Sequence, residues 1–101
     1  MTLHGIQIPE TEITEFCRRN RVRRLALFGS IVRDDFQPTS DIDVLVEFEP
    51  GESVGLLRLA ELEIELSDIL ERRVDLSLAS CLNPYFRDEV LREARVLYVA
   101  A

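Results

Sequence analysis

The stretch "LFGSIVRDDFQPTSDIDVLVEF", Leu27 to Phe48, decides how this chain is read. A Gly29-Ser30 turn is followed, ten residues later, by Asp41 and Asp43, which open a run of Val, Leu and Phe. Unpaired charge is costly to bury, so two carboxylates at the mouth of an apolar strand must be either solvated or neutralised by a cation. On an extended strand they project to one side with their stems about 6–7 Å apart, while Ile42, Val44, Val46 and Phe48 point to the other. Such parallel carboxylates can flank or bridge divalent ions about 3.5–4 Å apart, the clamp used in phosphoryl and nucleotidyl transfer.

Working outward, "RRLALF" before this stretch reads as one strand and Ile42 to Phe48 as a second, stopped by "EPGES". Pro9 with Glu10, Glu12 and Glu15 opens a helix to about Arg19, since proline suits a first turn and acids suit its positive end. Leu56, Leu59, Leu62, Leu66 and Ile69 recur at helical spacing and form one apolar stripe. "VDLSLA" alternates Val74, Leu76 and Leu78 against Asp75 and Ser77, so a third strand carries a carboxylate on its non-core face. Asn83-Pro84 caps a helix from Tyr85 to Ala94, and "RVLYVA" reads as a fourth strand. The order predicts a single α/β (α+β) domain over residues 1–101, with its motif-bearing core from about 22 to 99.

Composition narrows the chemistry. A chain of 101 residues that is 47% hydrophobic can bury one core. A formal charge of −7 argues against general affinity for nucleic acid, which rests on neutralising phosphates. All twelve basic residues are arginine, which excludes a Walker lysine and a Schiff base. Cys17, Cys81 and the single His4 have no zinc spacing, so a metal here would be held by oxygen. No apolar run reaches membrane length and the N-terminus lacks the pattern of a signal peptide, so the expectation is a soluble, cytoplasmic protein with reduced thiols. Arg18, Arg19, Arg21, Arg23 and Arg24 form the one basic cluster, read as a solvated helix end ahead of an RNA surface.

Beside the carboxylates, Gly29 lets backbone approach a phosphate, and a helix beginning there would aim free N–H groups at it. Ser30 adds a hydroxyl. Arg33 is placed to add charge to a triphosphate, or to pair with Asp34 or Asp35. Ser40 reads first as a turn or cap residue, with nucleotide binding as its functional alternative.

Taken together, "GSIVR", "SDIDVLVEF" and "RRVDLS" resemble the polymerase-beta-type nucleotidyltransferases, and in particular their minimal branch, the MNT-domain proteins. Val32 and Asp34 stand where that family usually has a small residue and a glycine. The resemblance implies a mixed sheet of about four strands with flanking helices. It also implies that Gly29 and Ser30 hold the phosphates of ATP, beside which Arg33 and Ser40 stand as further nucleotide-binding candidates from their own placement. Asp41 and Asp43 would bind Mg²⁺ or Mn²⁺, and Asp75 would ligate the catalytic metal and activate the acceptor hydroxyl. The implied activity is AMP transfer from ATP to a tyrosine of a partner HEPN-domain toxin, with this chain as antitoxin. Two alternatives stand beside it: a binding module that neutralises its partner without catalysis, and transfer to a small molecule. About 100 residues leave little surface for an enclosed acceptor pocket, so the acceptor is expected on another protein.

Overall fold

The computed structural model describes residues 1–101. A hairpin of two short strands, β1 (Thr2–Leu3) and β2 (Ile6–Gln7), comes first. It turns through His4 and Gly5, both at positive φ, and was not foreseen from "MTLHGIQIPE". Helix α1 (Glu10–Arg19) carries Glu10 and Glu12 in its first turn and Arg18 and Arg19 in its last, matching the macrodipole at both ends. Its Ile13, Phe16 and Cys17 lie at helical spacing and are all buried.

Strands β3 (Val22–Phe28), β4 (Ile42–Phe48), β5 (Val74–Leu78) and β6 (Arg95–Val99) form one sheet in the order β5-β4-β3-β6. The β3–β4 and β3–β6 pairs are antiparallel, and β4–β5 is parallel. The parallel pair needs a crossover, which helix α2 (Leu56–Leu70) supplies. A register irregularity between Val22 and Arg24 allows Val22 to share the main core with Leu25 and Leu27.

That core lies between one sheet face and helices α1 and α2. Ile42, Val44 and Val46 of β4 and Val74 and Leu76 of β5 meet Leu62, Leu66 and Leu70 there. The buried stripe of α2 therefore ends at Leu70, and Leu56, expected within it, is 85% exposed. Two side chains of α2 also cover the free edge of β5. Ser67 Oγ accepts the Val74 N–H at 3.1 Å and Glu63 Oε2 accepts the Leu76 N–H at 2.8 Å. Bonds that would otherwise be open to another strand are thereby closed, and the strand bearing Asp75 is held on both sides.

The opposite sheet face is thinner. Helix α3 (Pro84–Glu93), capped by Asn83 Oδ1 on the Tyr85 N–H, crosses it without burying a residue fully. Beneath it Ala26, Leu45 and Ala79 form a small second cluster, joined by Phe28, Leu82 and Val90. No helix is long and apolar enough to cross a membrane.

Candidate active site

The carboxylates stand on this second face. Asp43 lies opposite Asp75 in the β4–β5 register, and opposite Phe28, the last residue of β3, on its other side. The alternation expected of β4 and β5 is realised: Ile42, Val44, Val74 and Leu76 are buried, Asp43 is half-buried, and Asp41 and Asp75 are exposed. Asp41 lies just outside the strand.

Gly29 is the residue against which Asp43 rests. Its φ of +74° belongs to the left-handed region, and a Cβ there would overlap Asp43 Oδ2 and stand 3.0 Å from Cγ. Conformation and contact both require glycine at this position. The helix expected to begin at Gly29-Ser30 is a single 3₁₀ turn, Gly29–Val32, closed by the Arg33 N–H on the Ser30 carbonyl at 3.0 Å. The following residues leave it at once, because Arg33 is fully extended.

Burial pushes the Asp43 carboxyl above its ordinary value, and the neighbouring Asp75 and Asp41 charges add to the shift while Arg33 opposes it. Three acids thus share one patch of surface. Arg33 does not settle among them: it donates to Asp35 at 3.2 Å and lies 4.0 Å from Glu93. Ser40 has a turn role, since its hydroxyl accepts the Gln37 N–H at 3.0 Å. Glu47, on the same face as Asp43, pairs with Arg24 at 3.7 Å. Within the basic cluster, Arg19 and Arg21 pair with Glu65 and Glu52, so part of that charge is spent on the chain's own surface. Asp41, Asp43 and Asp75 line none of the five main concavities of the surface, although Arg33 lines one and Glu47 two, and Asp41 and Asp75 face solvent.

Residues 11–97 match the model of the nucleotidyltransferase domain. The chain belongs to this family. The nucleotidyltransferase is 44% identical to protein adenylyltransferase MntA of Thermococcus cleftensis over 84% of this chain and 82% of that protein. It is 38% identical, with a TM-score of 0.69, to a solved candidate minimal nucleotidyltransferase, covering 84% of this chain and 85% of the other. It is also similar to a mutant of the toxin–antitoxin pair MntA-HpeT, at 25% identity and a TM-score of 0.73 over 93% of this chain and 75% of that one. The minimal, polymerase-beta-like character implied by the motifs is therefore established, and with it the mixed four-stranded sheet.

One residue within the stretch "RRVDLS" has no role of its own in the sequence reading. Arg72, three positions before Asp75, donates to the carbonyls of Gln37, Pro38 and Ser40, all in the loop that leads to Asp41. The only sequence signal is its place as the first arginine of "RRVDLS", two positions ahead of the third strand, where an arginine by itself reads as a solvated charge.

Proposed function

We propose that this nucleotidyltransferase moves AMP from ATP to a hydroxyl of a partner protein, a tyrosine of a HEPN-domain toxin, and so acts as its antitoxin. The observation that carries this reading is the register of Asp43 beside Asp75, with Asp43 seated on the Gly29 turn. Hard-oxygen donors crowded together with little positive charge between them suit a divalent cation. No group of three such side chains is placed to hold a metal ion unaided. A divalent ion here would need water and the phosphate oxygens of the nucleotide to complete its shell, as Mg²⁺ commonly does. Asp41, Asp43 and Asp75 would hold the ion, which supplies positive charge to the triphosphate when bound.

In the reaction, the acceptor hydroxyl oxygen attacks the α-phosphorus. The bond from that phosphorus to the oxygen bridging to the β-phosphate breaks, and pyrophosphate leaves with the electron pair. Asp75 takes the hydroxyl proton. Gly29 and Ser30 border the phosphates, and Arg33 is near enough to contribute charge if it releases Asp35. An open carboxylate face without an enclosing pocket favours an acceptor presented by another protein. The adenylyltransferase relative and the toxin–antitoxin neighbour support the same assignment.

Incubating the purified complex of this chain and its native partner with ATP labelled at the α-phosphate tests the reading. Label should enter the partner in a Mg²⁺-dependent manner and be lost when the accepting tyrosine is changed to phenylalanine. Label entering only small molecules would overturn it. The binding-module alternative draws on the exposed Leu56, Leu57, Tyr85 and Phe86, and would show as an unlabelled but neutralised partner.

A further inference from the structure

We infer that Arg72 is a positioning residue that locks the loop before Asp41 to the strand carrying Asp75, and thereby sets the spacing of the metal-holding carboxylates. The inference rests on the assignment of Asp41, Asp43 and Asp75 given above. Arg72 Nε donates to the Ser40 carbonyl at 3.2 Å, and Nη2 donates to the carbonyls of Gln37, at 3.0 Å, and Pro38. One planar guanidinium therefore gathers three carbonyls of the same turn, a task suited to its fixed fork of donors. Its Cζ also lies 4.7 Å from the centre of the Phe36 ring, and the His4 ring from the N-terminal hairpin lies 5.0 Å from that same ring. The backbone completes the join, because the Ile42 N–H donates to the Arg73 carbonyl at 2.9 Å.

The turn has little else to fix it. Within it the Ser40 N–H bonds the Gln37 carbonyl at 2.9 Å and the Gln37 N–H bonds the Ser40 hydroxyl at 3.0 Å, which shapes the turn without anchoring it to the sheet. Arg72 is itself anchored, its N–H bonding the Ser67 carbonyl of α2 at 3.1 Å. The path runs from α2 through Arg72 to residues 37–40, and from there directly into Asp41. Asp75, the second residue of β5, follows Arg72 by three positions in the chain. Removing the guanidinium leaves all three carboxylates present and frees one of them to wander relative to the other two. Groups hydrogen-bonded directly to metal ligands typically contribute about 10–100-fold to metal affinity or activity, and Arg72, which acts one residue removed through the Ser40 carbonyl, is expected at the lower end of that range.

The test compares Arg72→Ala, Arg72→Lys and Asp43→Asn for Mn²⁺ binding in the presence of AMP-PNP, followed by electron paramagnetic resonance. Amide hydrogen exchange over residues 36–42 is measured alongside. Arg72→Ala should weaken Mn²⁺ binding about tenfold or more, with faster exchange of the Ser40 and Ile42 amides and a melting temperature within a few degrees of the parent. Arg72→Lys keeps the charge beside Phe36 but cannot reach three carbonyls at once, so it should recover only part of the affinity and still lie several-fold below the parent. It also provides the measurement if the alanine variant does not fold. Mn²⁺ affinity within twofold of the parent in the folded Arg72 variants, with Asp43→Asn defective, overturns the positioning role and leaves the carboxylate assignment standing. Undiminished affinity in Asp43→Asn overturns the assignment and the positioning role with it.

Discussion

The two faces of the sheet are built from the same strands and used in opposite ways. Toward α1 and α2 lie sixteen buried side chains in one continuous cluster, all apolar or cysteine. Toward α3 lie three, with Phe28, Leu82, Val90 and Ala94 partly buried beside them, and on β4 and β5 that face also carries Asp43, Glu47, Asp75 and Ser77. Strand alternation makes this division possible, since each residue of β4 and β5 serves one face only. On the proposed assignment, stability and chemistry are thereby separated at single-residue spacing: Val44 and Val74 belong to the core, while Asp43 and Asp75 beside them belong to the proposed site.

The largest expected effect lies on the site face. Asp75→Asn removes a charge from an exposed position whose neighbours Val74 and Leu76 are unaffected, so the fold and partner binding should stay close to the parent. Transfer of labelled AMP should fall by about 10²–10⁴-fold, the scale of a lost general base. Transfer within a few-fold of the parent would make Asp75 an ordinary edge-strand acid. Glu47, paired with Arg24, is then a poor substitute.

On the core face the comparison should invert. Leu66 is fully buried among α2, β4 and β5, and Leu66→Ala leaves a cavity that costs about 2–5 kcal/mol. Urea denaturation should show that loss, and a fall in melting temperature on the order of 10 °C or more accompanies it in a domain of this size. Below the transition, AMP transfer per folded molecule should remain near the parent value. A stable Leu66→Ala with impaired transfer would mean that the faces are not separable.

Legibility in the sequence divides along similar lines. Strand β4, with bounds Ile42 and Phe48, and the outward placement of Asp75 could be read because alternation is a local signal that burial then enforces. The β1–β2 hairpin escaped because strands of two residues carry no periodicity. The Gly29-Ser30 helix became one 3₁₀ turn because the extended Arg33 ends it, and nothing in "GSIVR" marks that stop. For Arg33 and Ser40 the local alternatives were legible too: Arg33 pairs with Asp35 and the Ser40 hydroxyl accepts the Gln37 N–H, partners two and three residues away that compete with any nucleotide. Arg72 reaches a loop 32 to 35 positions earlier in the chain, a contact that only the fold reveals. The carboxylates were legible because their chemistry is unusual for their surroundings; the groups that hold them in place are ordinary residues in unforeseen company.

The smallest effect sharpens the comparison most, because it requires the site face to reduce stability. Asp43 has a raised carboxyl pKa in the folded chain, first through burial and then through Asp75 and Asp41. The folded state therefore holds this proton more tightly than the unfolded state. Stability falls as pH rises from the unfolded pKa through the folded one, and above both the penalty is complete. Asp43→Asn removes the penalty, so in EDTA at pH 7 the variant should melt above the parent. The side chain is only partly buried and solvent screens the repulsion, which limits the gain to below about 1 kcal/mol, or a few degrees. Below the unfolded carboxylate pKa of about 3.9 the parent is itself neutral at this position, and the two melting temperatures should converge. Adding Mg²⁺ with AMP-PNP at pH 7 should reverse the order, since ligand binding to the folded parent stabilises it by mass action and the variant has lost part of the site. A variant less stable than the parent at pH 7 in EDTA would instead assign Asp43 a structural role on the Gly29 turn, and the division between the two faces would fail at the residue where it was drawn most sharply.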